Sequence, residues 1–206
     1  MYNFTIPMAL VDFVPVAFFG VSAVLLLRDL YSKMFQGAYA LLAAGCVNVF
    51  LAGFCKALWK LLYAANICDF VALEEMFMPV NSIGLLMVGL SLIGMLCWKT
   101  KDAVMLSAAP AVFSGSLVFI LMMVVGLGGM CAVLSILAAR MKKKGAIVLF
   151  VLSFVCAMGM GYMSGQDSTL AWVNWAEQSI NIVSQGCLMW GVIALHRADL
   201  AGFRTA

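Results

Sequence analysis

Runs of about 20 apolar residues recur along almost the whole 206-residue chain, and they restrict its fold more than any motif does. A helix of that length crosses the roughly 30 Å hydrocarbon core of a bilayer and satisfies its own backbone hydrogen bonds. A spanning β-barrel would instead show alternating segments of about ten residues. Charged residues make up only 10% of the chain, well below the usual share in a soluble domain. We therefore predict an all-α polytopic membrane protein.

Five transmembrane spans are clear, and one region leaves the number of helices open. The clear spans are Ile6–Leu27, Phe35–Leu58, Phe70–Leu96, Ala146–Met163 and Ala171–Leu195. Residues 101–144 could form one long helix, or a short helix followed by a full span to Ala139 after a turn at Ser114-Gly115-Ser116. These alternatives give six or seven transmembrane helices.

The positions of the basic residues favour seven helices. With seven, only Lys56 and Lys60 of the 12 Lys and Arg residues fall on one side, whereas six helices give a split of eight to four. The positive-inside rule prefers the stronger bias, which places the N-terminus outside and the C-terminus in the cytoplasm. We expect this topology in the cell membrane. Its cost is a fourth helix of only about 15 residues, which is short for a full crossing.

Three sequence similarities in the same order indicate an internal repeat. EEMFMPVNSIGLLMVG (residues 74–89) aligns with AEQSINIVSQGCLMWG (176–191), so that Glu75 meets Glu177 and Ser82 meets Ser184. GVSAVLL (20–26) resembles GMCAVLS (129–135), and GAYALL (37–42) resembles GAIVLF (145–150). Basic residues follow the first and third helix of both copies, which predicts the same orientation for both.

Two parallel three-helix units require one extra helix between them. We therefore predict a 3+1+3 arrangement, with a first repeat at 1–98, a short connecting helix at 99–116 and a second repeat at 117–206. This topology resembles that of SWEET-type sugar transporters. The likeness is one of topology alone, because neither copy has a Pro-Gln pair in its first helix. The six-helix alternative would be a 3+3 inverted repeat.

Polar side chains in the third and last helices are the candidate site. Asn174, Glu177, Asn181, Ser184 and Gln185 lie along one side of a helix, and Glu74, Glu75, Asn81 and Ser82 do so in the third span. Such side chains avoid lipid, and membrane carboxylates usually mark ion or substrate pathways. We predict substrate contacts from these residues: Glu75, Asn81, Ser82, Glu177, Asn181, Ser184 and Gln185. Glu177, Glu75 and Asp12 are the candidates for a proton or cation site.

Other features have structural interpretations. Glycines 84, 89, 186 and 191, with Gly159 and Gly161, suit close helix packing. Trp59, Trp172 and Trp175 fit an interfacial belt, and a Glu75 or Glu177 pair with Lys56 would be the simplest role for these acids. The seven cysteines form no CxxC motif, and we expect no structural disulfide.

The residues favour transport over other activities. His196 is the sole histidine, and no HExxH, GxSxG or paired-histidine motif is present, so we expect no enzyme activity, cofactor or metal. The net charge of +3 does not suggest nucleic acid. We predict a transporter or facilitator of a small polar or cationic solute, with proton coupling as an option. A channel, or a sensor or accessory subunit, is the alternative. The bilayer is the expected partner, and homo-oligomerisation is left open.

Overall fold

The computed structural model describes residues 4–97, 116–163 and 171–203, and these ranges are helical without any strand. Six spans are long and apolar enough to cross a bilayer: Ile6–Leu30, Gln36–Ala64, Ala72–Cys97, Leu117–Arg140, Lys144–Met163 and Trp172–Arg197. The predicted all-α fold is therefore confirmed, and its six long apolar helices are compatible with an integral membrane protein. The short connecting helix predicted at 99–116 lies outside the described residues except for Ser116, so the seventh helix stays a prediction.

Eight α-helices build the six spans, because two spans are broken near a proline. The helices are α1 Ile6–Val11, α2 Phe13–Leu30, α3 Gln36–Ala64, α4 Ala72–Glu75, α5 Phe77–Cys97, α6 Ser116–Arg140, α7 Lys144–Met163 and α8 Ala171–Arg197. The breaks fall at Asp12 and Met76, just before Pro15 and Pro79. Proline is tolerated in the first turn of a helix but not in its interior, so each break allows the chain to restart.

Three helices end in the same way, with one residue in the left-handed conformation. These residues are Asn66, Lys142 and Asp199, with φ values of 54°, 59° and 61°. In each case the next residue donates its backbone N–H to a carbonyl five positions earlier, as Lys143 does to Ala138. This hydrogen bond closes the last helical turn. The turn between α6 and α7 is consequently short, and these two helices are antiparallel neighbours.

The long helices form a closed ring in chain order. Each packs against the next, from α2 through α3, α5, α6 and α7 to α8, and α8 returns to α2. The helix pairs α2–α3, α3–α5, α6–α7 and α7–α8 run antiparallel. This order brings α5 and α8, which carry the two similar sequence stretches, to different sides of the ring.

Two of the neighbouring pairs run parallel instead. Asn81, Leu85 and Ile93 of α5 contact Met123, Gly126 and Gly129 of α6 in that order. Met8 of α1, Phe18 of α2 and Asp29 of α2 likewise meet Gln178, Gly186 and His196 of α8. The ring therefore consists of two three-span halves, α1–α5 and α6–α8, that run in the same directions.

The two ends of the ring differ in charge and in packing. One end, here called the basic end, carries exposed basic residues: Arg28, Arg140, Lys142, Lys143, Lys144 and Arg197. The largest fully buried side chains concentrate there, including Leu30, Leu42, Leu137, Phe150 and Leu195. At the other end, here called the acidic end, neither residues 117–125 of α6 nor residues 154–163 of α7 include a buried side chain. Along α6 and α7, the described core is therefore denser toward the basic end than toward the acidic end.

Glycines allow the backbones of α5 and α6 to touch. A β-carbon on Gly126 would lie 2.4 Å from the carbonyl carbon of Leu85, and one on Gly89 would lie 2.5 Å from the carbonyl oxygen of Gly126. The packing roles expected for Gly84, Gly89 and Gly191 are confirmed, whereas Gly186 has only ordinary van der Waals contact. The role expected for Gly159 and Gly161 finds no support in the described part of the chain, where no heavy atom lies within 4 Å of either β-carbon position.

Candidate functional site

Among the described residues, the acidic end holds five carboxylates and two lysines, and one pair among them is a close ion pair. Asp12, at the break between α1 and α2, lies 2.7 Å from the ammonium of Lys60 on α3. Their side chains are only 11% and 10% exposed. Trp59 is buried beside this pair and donates its indole N–H to Asp69 at 3.0 Å. Trp172 and Trp175 are instead exposed, and the interfacial belt stays a prediction for all three tryptophans.

Lys56 is the second lysine of the acidic end, and it occupies an aromatic and acidic environment. Its ammonium lies 4.3 Å from the centroid of the Phe77 ring, a distance typical of a cation–π contact. Glu177, Asp12 and Glu74 are close enough to act on its charge, as is the like charge of Lys60. Since Asp12 is already paired with Lys60, Glu177 of α8 and Glu74 of α4 are the acids left to balance Lys56.

The predicted residues of the third span are separated by the helix break. Glu75 is exposed, whereas Glu74 is half-buried on the side of Lys56. Asn81 is buried and its amide nitrogen lies 3.9 Å from the sulfur of Met123 on α6. Ser82 is fully buried and donates to the carbonyl of Met78 in its own helix. The structure therefore places Glu74, rather than Glu75, beside the charged cluster.

The polar stripe predicted on α8 is turned into the protein, but its residues face different neighbours. Glu177 and Asn181 are half-buried, and Glu177 acts on Lys56. Ser184 is 1% exposed and donates to the carbonyl of Ser153 on α7 at 2.8 Å, which is a packing contact. The carbonyl oxygen of the Gln185 side chain is buried without a hydrogen-bond partner among the described residues. Gln185 therefore retains a free acceptor inside the bundle.

Gln178 is a buried polar residue that sequence reasoning did not single out. It is 3% exposed, donates its amide N–H to the carbonyl of Met8 at 3.1 Å, and leaves its own side-chain oxygen without a partner in the described chain. It follows Glu177 directly, and it ties α8 to α1 near the acidic cluster. It is four residues after Asn174 and three before Asn181, so it shares the side of the predicted polar stripe and helical spacing could have revealed it.

A second ionic contact lies at the basic end and was also missed. Nδ1 of His196 lies 2.9 and 3.0 Å from the two carboxylate oxygens of Asp29, which is 2% exposed. Lys33 donates a hydrogen bond to the backbone carbonyl of Phe203. Burial lowers the pKa of Lys33, although the carboxylates of Asp199 and Asp29 oppose this shift. A signal was present, because the predicted topology puts Asp29 and His196 at the same membrane face.

Comparisons with protein-family models, curated proteins and solved structures found no match to this chain. Across the described ranges, no three His, Cys, Asp or Glu side chains are grouped so as to hold a metal ion. The seven cysteines are free. The fold defines an all-helical protein whose six long apolar helices are compatible with integral membrane insertion.

Proposed function

We propose that the protein carries a small cationic or polar solute across the membrane, and that the solute binds at the acidic end between α3, α5 and α8. The observation that carries this proposal is the position of the Lys56 ammonium over the Phe77 ring, with Glu74 and Glu177 acting on it from two other helices. An aromatic face and carboxylates are the groups that bind organic cations. The ammonium of Lys56 therefore occupies a cation-binding position of the kind that would bind a solute ammonium or guanidinium.

The packing of the ring supports a carrier rather than a continuous pore. Large apolar side chains, among them Leu42, Leu137 and Phe150, fill the basic end. A hydrated cation would lose its water there without gaining polar partners, at a cost of several kcal/mol or more. The acidic end is less tightly packed in α6 and α7. This difference fits a state in which the site is reached from the acidic end and closed at the basic end.

We also propose the 3+1+3 arrangement with seven spans. The parallel directions of α5 and α6 support it, because Cys97 and Ser116 then lie at opposite ends of the bundle. The segment that joins Cys97 to Ser116 has to connect one end of the bundle with the other, and we propose that it does so as a seventh transmembrane helix. The basic end would face the cytoplasm of the cell by the positive-inside rule, and the acidic end would face outward.

Flux of a permanently charged cation tests the proposed transport. Proteoliposomes containing the full chain would be assayed for uptake of radiolabelled guanidinium, which does not cross lipid as a neutral base. We expect saturable uptake that Glu177→Gln abolishes. Lys143→Gln is the matched control, because it removes one exposed charge at the basic end and should leave uptake unchanged.

Three other results would change the conclusion. Uptake at the wild-type level in Glu177→Gln would remove this carboxylate from the mechanism. A steady, non-saturating current at fixed potential would favour the channel alternative. If wild-type protein moved neither guanidinium nor a panel of ammonium and neutral polar solutes, the sensor or accessory class would be the better conclusion.

A further inference from the structure

The two parallel contacts between the halves of the ring are held together by different physical means. At α5–α6, Gly89 and Gly126 bring the two backbones into direct contact. At α2–α8, the closest glycine contact is ordinary, and an ionic contact between Asp29 and His196 lies at the basic end. A backbone contact between glycines does not respond to protons, whereas an ionic contact does.

The geometry of the Asp29–His196 pair makes it a responsive contact. One imidazole nitrogen faces both carboxylate oxygens, at 2.9 and 3.0 Å. Asp29 is buried, but the His196 side chain is 33% exposed, so protons from solution can reach the ring. Histidine is the side chain whose charge normally changes between about pH 5 and 8. Removing that charge would leave the buried carboxylate without its ion-pair partner, with only the charge of Lys33 acting on it, which is unfavourable.

The neighbouring charges reinforce the pair without replacing it. Lys33 joins the chain after α2 to the chain after α8 through the carbonyl of Phe203, and both Asp199 and Asp29 lie close enough to act on its charge. The remaining basic residues at this end are exposed: Arg28, Arg140, Lys142, Lys143, Lys144 and Arg197. His196 is the only side chain of α8 that forms an ion pair with α2 in the described part of the chain.

We propose that His196 is a proton-binding site, and that its pair with Asp29 holds α2 and α8 together at the basic end. When His196 is protonated and Asp29 is ionised, charge-assisted hydrogen bonds close this end. When His196 loses its proton, or when Asp29 gains one, the contact weakens and α2 separates from α8 while α5 and α6 stay together. If the protein transports a solute as proposed, this opening would be the gate at the basic end, and that part of the inference rests on the proposed function. The contact between Asp29 and His196 does not depend on it.

Hydrogen–deuterium exchange of the full chain in lipid nanodiscs tests the pair without any solute. We expect Asp29→Asn and His196→Gln to speed exchange of peptides covering 27–34 and 193–203, by roughly 10-fold to 100-fold, as expected for loss of a charged hydrogen bond. Arg197→Gln is the control, because it removes an exposed charge next to His196. In the wild type only, the same peptides should exchange faster as pH rises from 6 to 8, after correction with an unstructured peptide.

The helices in which exchange becomes faster distinguish loss of the α2–α8 contact from general destabilisation. Peptides covering 83–95 and 124–131, from α5 and α6, should be unaffected. Faster exchange in every helix would show general destabilisation and would overturn the proposal, as would unchanged exchange in both variants. The exchanged pair Asp29→His with His196→Asp should restore protection, and its failure to do so would count against a specific ion pair. Because no flux is measured, this result and the guanidinium result can fail independently.

Discussion

The carboxylate of Asp12 and the ammonium of Lys60 lie 2.7 Å apart inside the bundle, and this pair fixes the junction of α1 and α2 against α3. Asp12 is thereby engaged by a basic partner, although its place in an apolar run made it a candidate proton or cation site. A buried ion pair that loses one partner leaves an uncompensated charge, whereas the loss of both partners is often tolerated.

We therefore expect Asp12→Asn to lower the free energy of unfolding by about 3 kcal/mol. The double variant Asp12→Asn with Lys60→Met should recover much of this loss, because no charge is then left buried. Thermal unfolding in detergent, followed by circular dichroism, measures both. Equal losses in the single and double variants would contradict the importance of the pair.

The contact between α5 and α6 gives a second prediction about stability. Gly126→Ala should destabilise the protein by about 1–3 kcal/mol, because the added methyl group would overlap the backbone of Leu85. Gly159→Ala is the matched control, since its β-carbon would meet no atom of the described residues within 4 Å. Alanine is also the better helix former, by about 1 kcal/mol, so the control should be neutral or stabilising. A destabilised control would contradict the packing described here.

Labelling from the two sides of the membrane tests the helix directions. Because α5 and α6 are parallel, the loop near Lys33 and the turn near Lys143 lie at the same end, and Cys68 lies at the other. In intact cells, a membrane-impermeant maleimide should label the exposed native Cys68 but neither Lys33→Cys nor Lys143→Cys. Both engineered cysteines should react after permeabilisation. Lys143→Cys labelled from outside would support the antiparallel, six-span alternative.

The sequence predicted the helices well because an uninterrupted run of about 20 apolar residues is by itself a strong indication of a membrane-spanning helix. It was less informative about which side chains meet. The spacing of Glu74 and Glu75 is compatible with a continuous helix, but Pro79 causes a break at Met76 that turns Glu75 outward. A pattern of period 3.6 describes a side of a helix only while that helix is unbroken.

Contacts between distant helices were beyond what spacing could show. Asp29 and His196 are 167 residues apart, and their contact depends on the ring closing between α2 and α8. Ser184 matched Ser82 in the repeat alignment, yet Ser184 bonds to α7 and Ser82 bonds within its own helix. The partner of each polar side chain is set by tertiary packing, which residue identity alone does not determine.

The structure places Glu74 beside Lys56, where the sequence predicted Glu75, and substituting each residue in turn compares their contributions to binding. Glu74 is half-buried and acts on Lys56, whereas Glu75 is exposed. A hydrogen bond to a charged group contributes about 1.5–3 kcal/mol, so Glu74→Gln should raise the half-saturating guanidinium concentration by roughly tenfold or more. Glu75→Gln, with the same change of charge one residue away, should have a much smaller effect. The reverse order would restore Glu75 as the substrate carboxylate.

A substitution at Lys56 tests whether the solute cation binds over Phe77, because the Lys56 ammonium itself occupies that position. An incoming cation would have to displace this ammonium from the ring and from the charges of Glu74 and Glu177. Lys56→Met removes the competitor, so the half-saturating guanidinium concentration should fall by roughly tenfold, the size expected for a cation–π contact with partly desolvated charges.

Lys56→Arg is the matched control for this competition, since it keeps a positive charge at the same position. It should retain a half-saturating concentration close to that of the wild type. If Lys56→Met instead weakened guanidinium uptake, Lys56 would be helping to form the site rather than competing for it. A solute with its own negative group, such as a zwitterion, would then fit better, because Lys56 could bind the anionic group while Glu177 bound the cationic one.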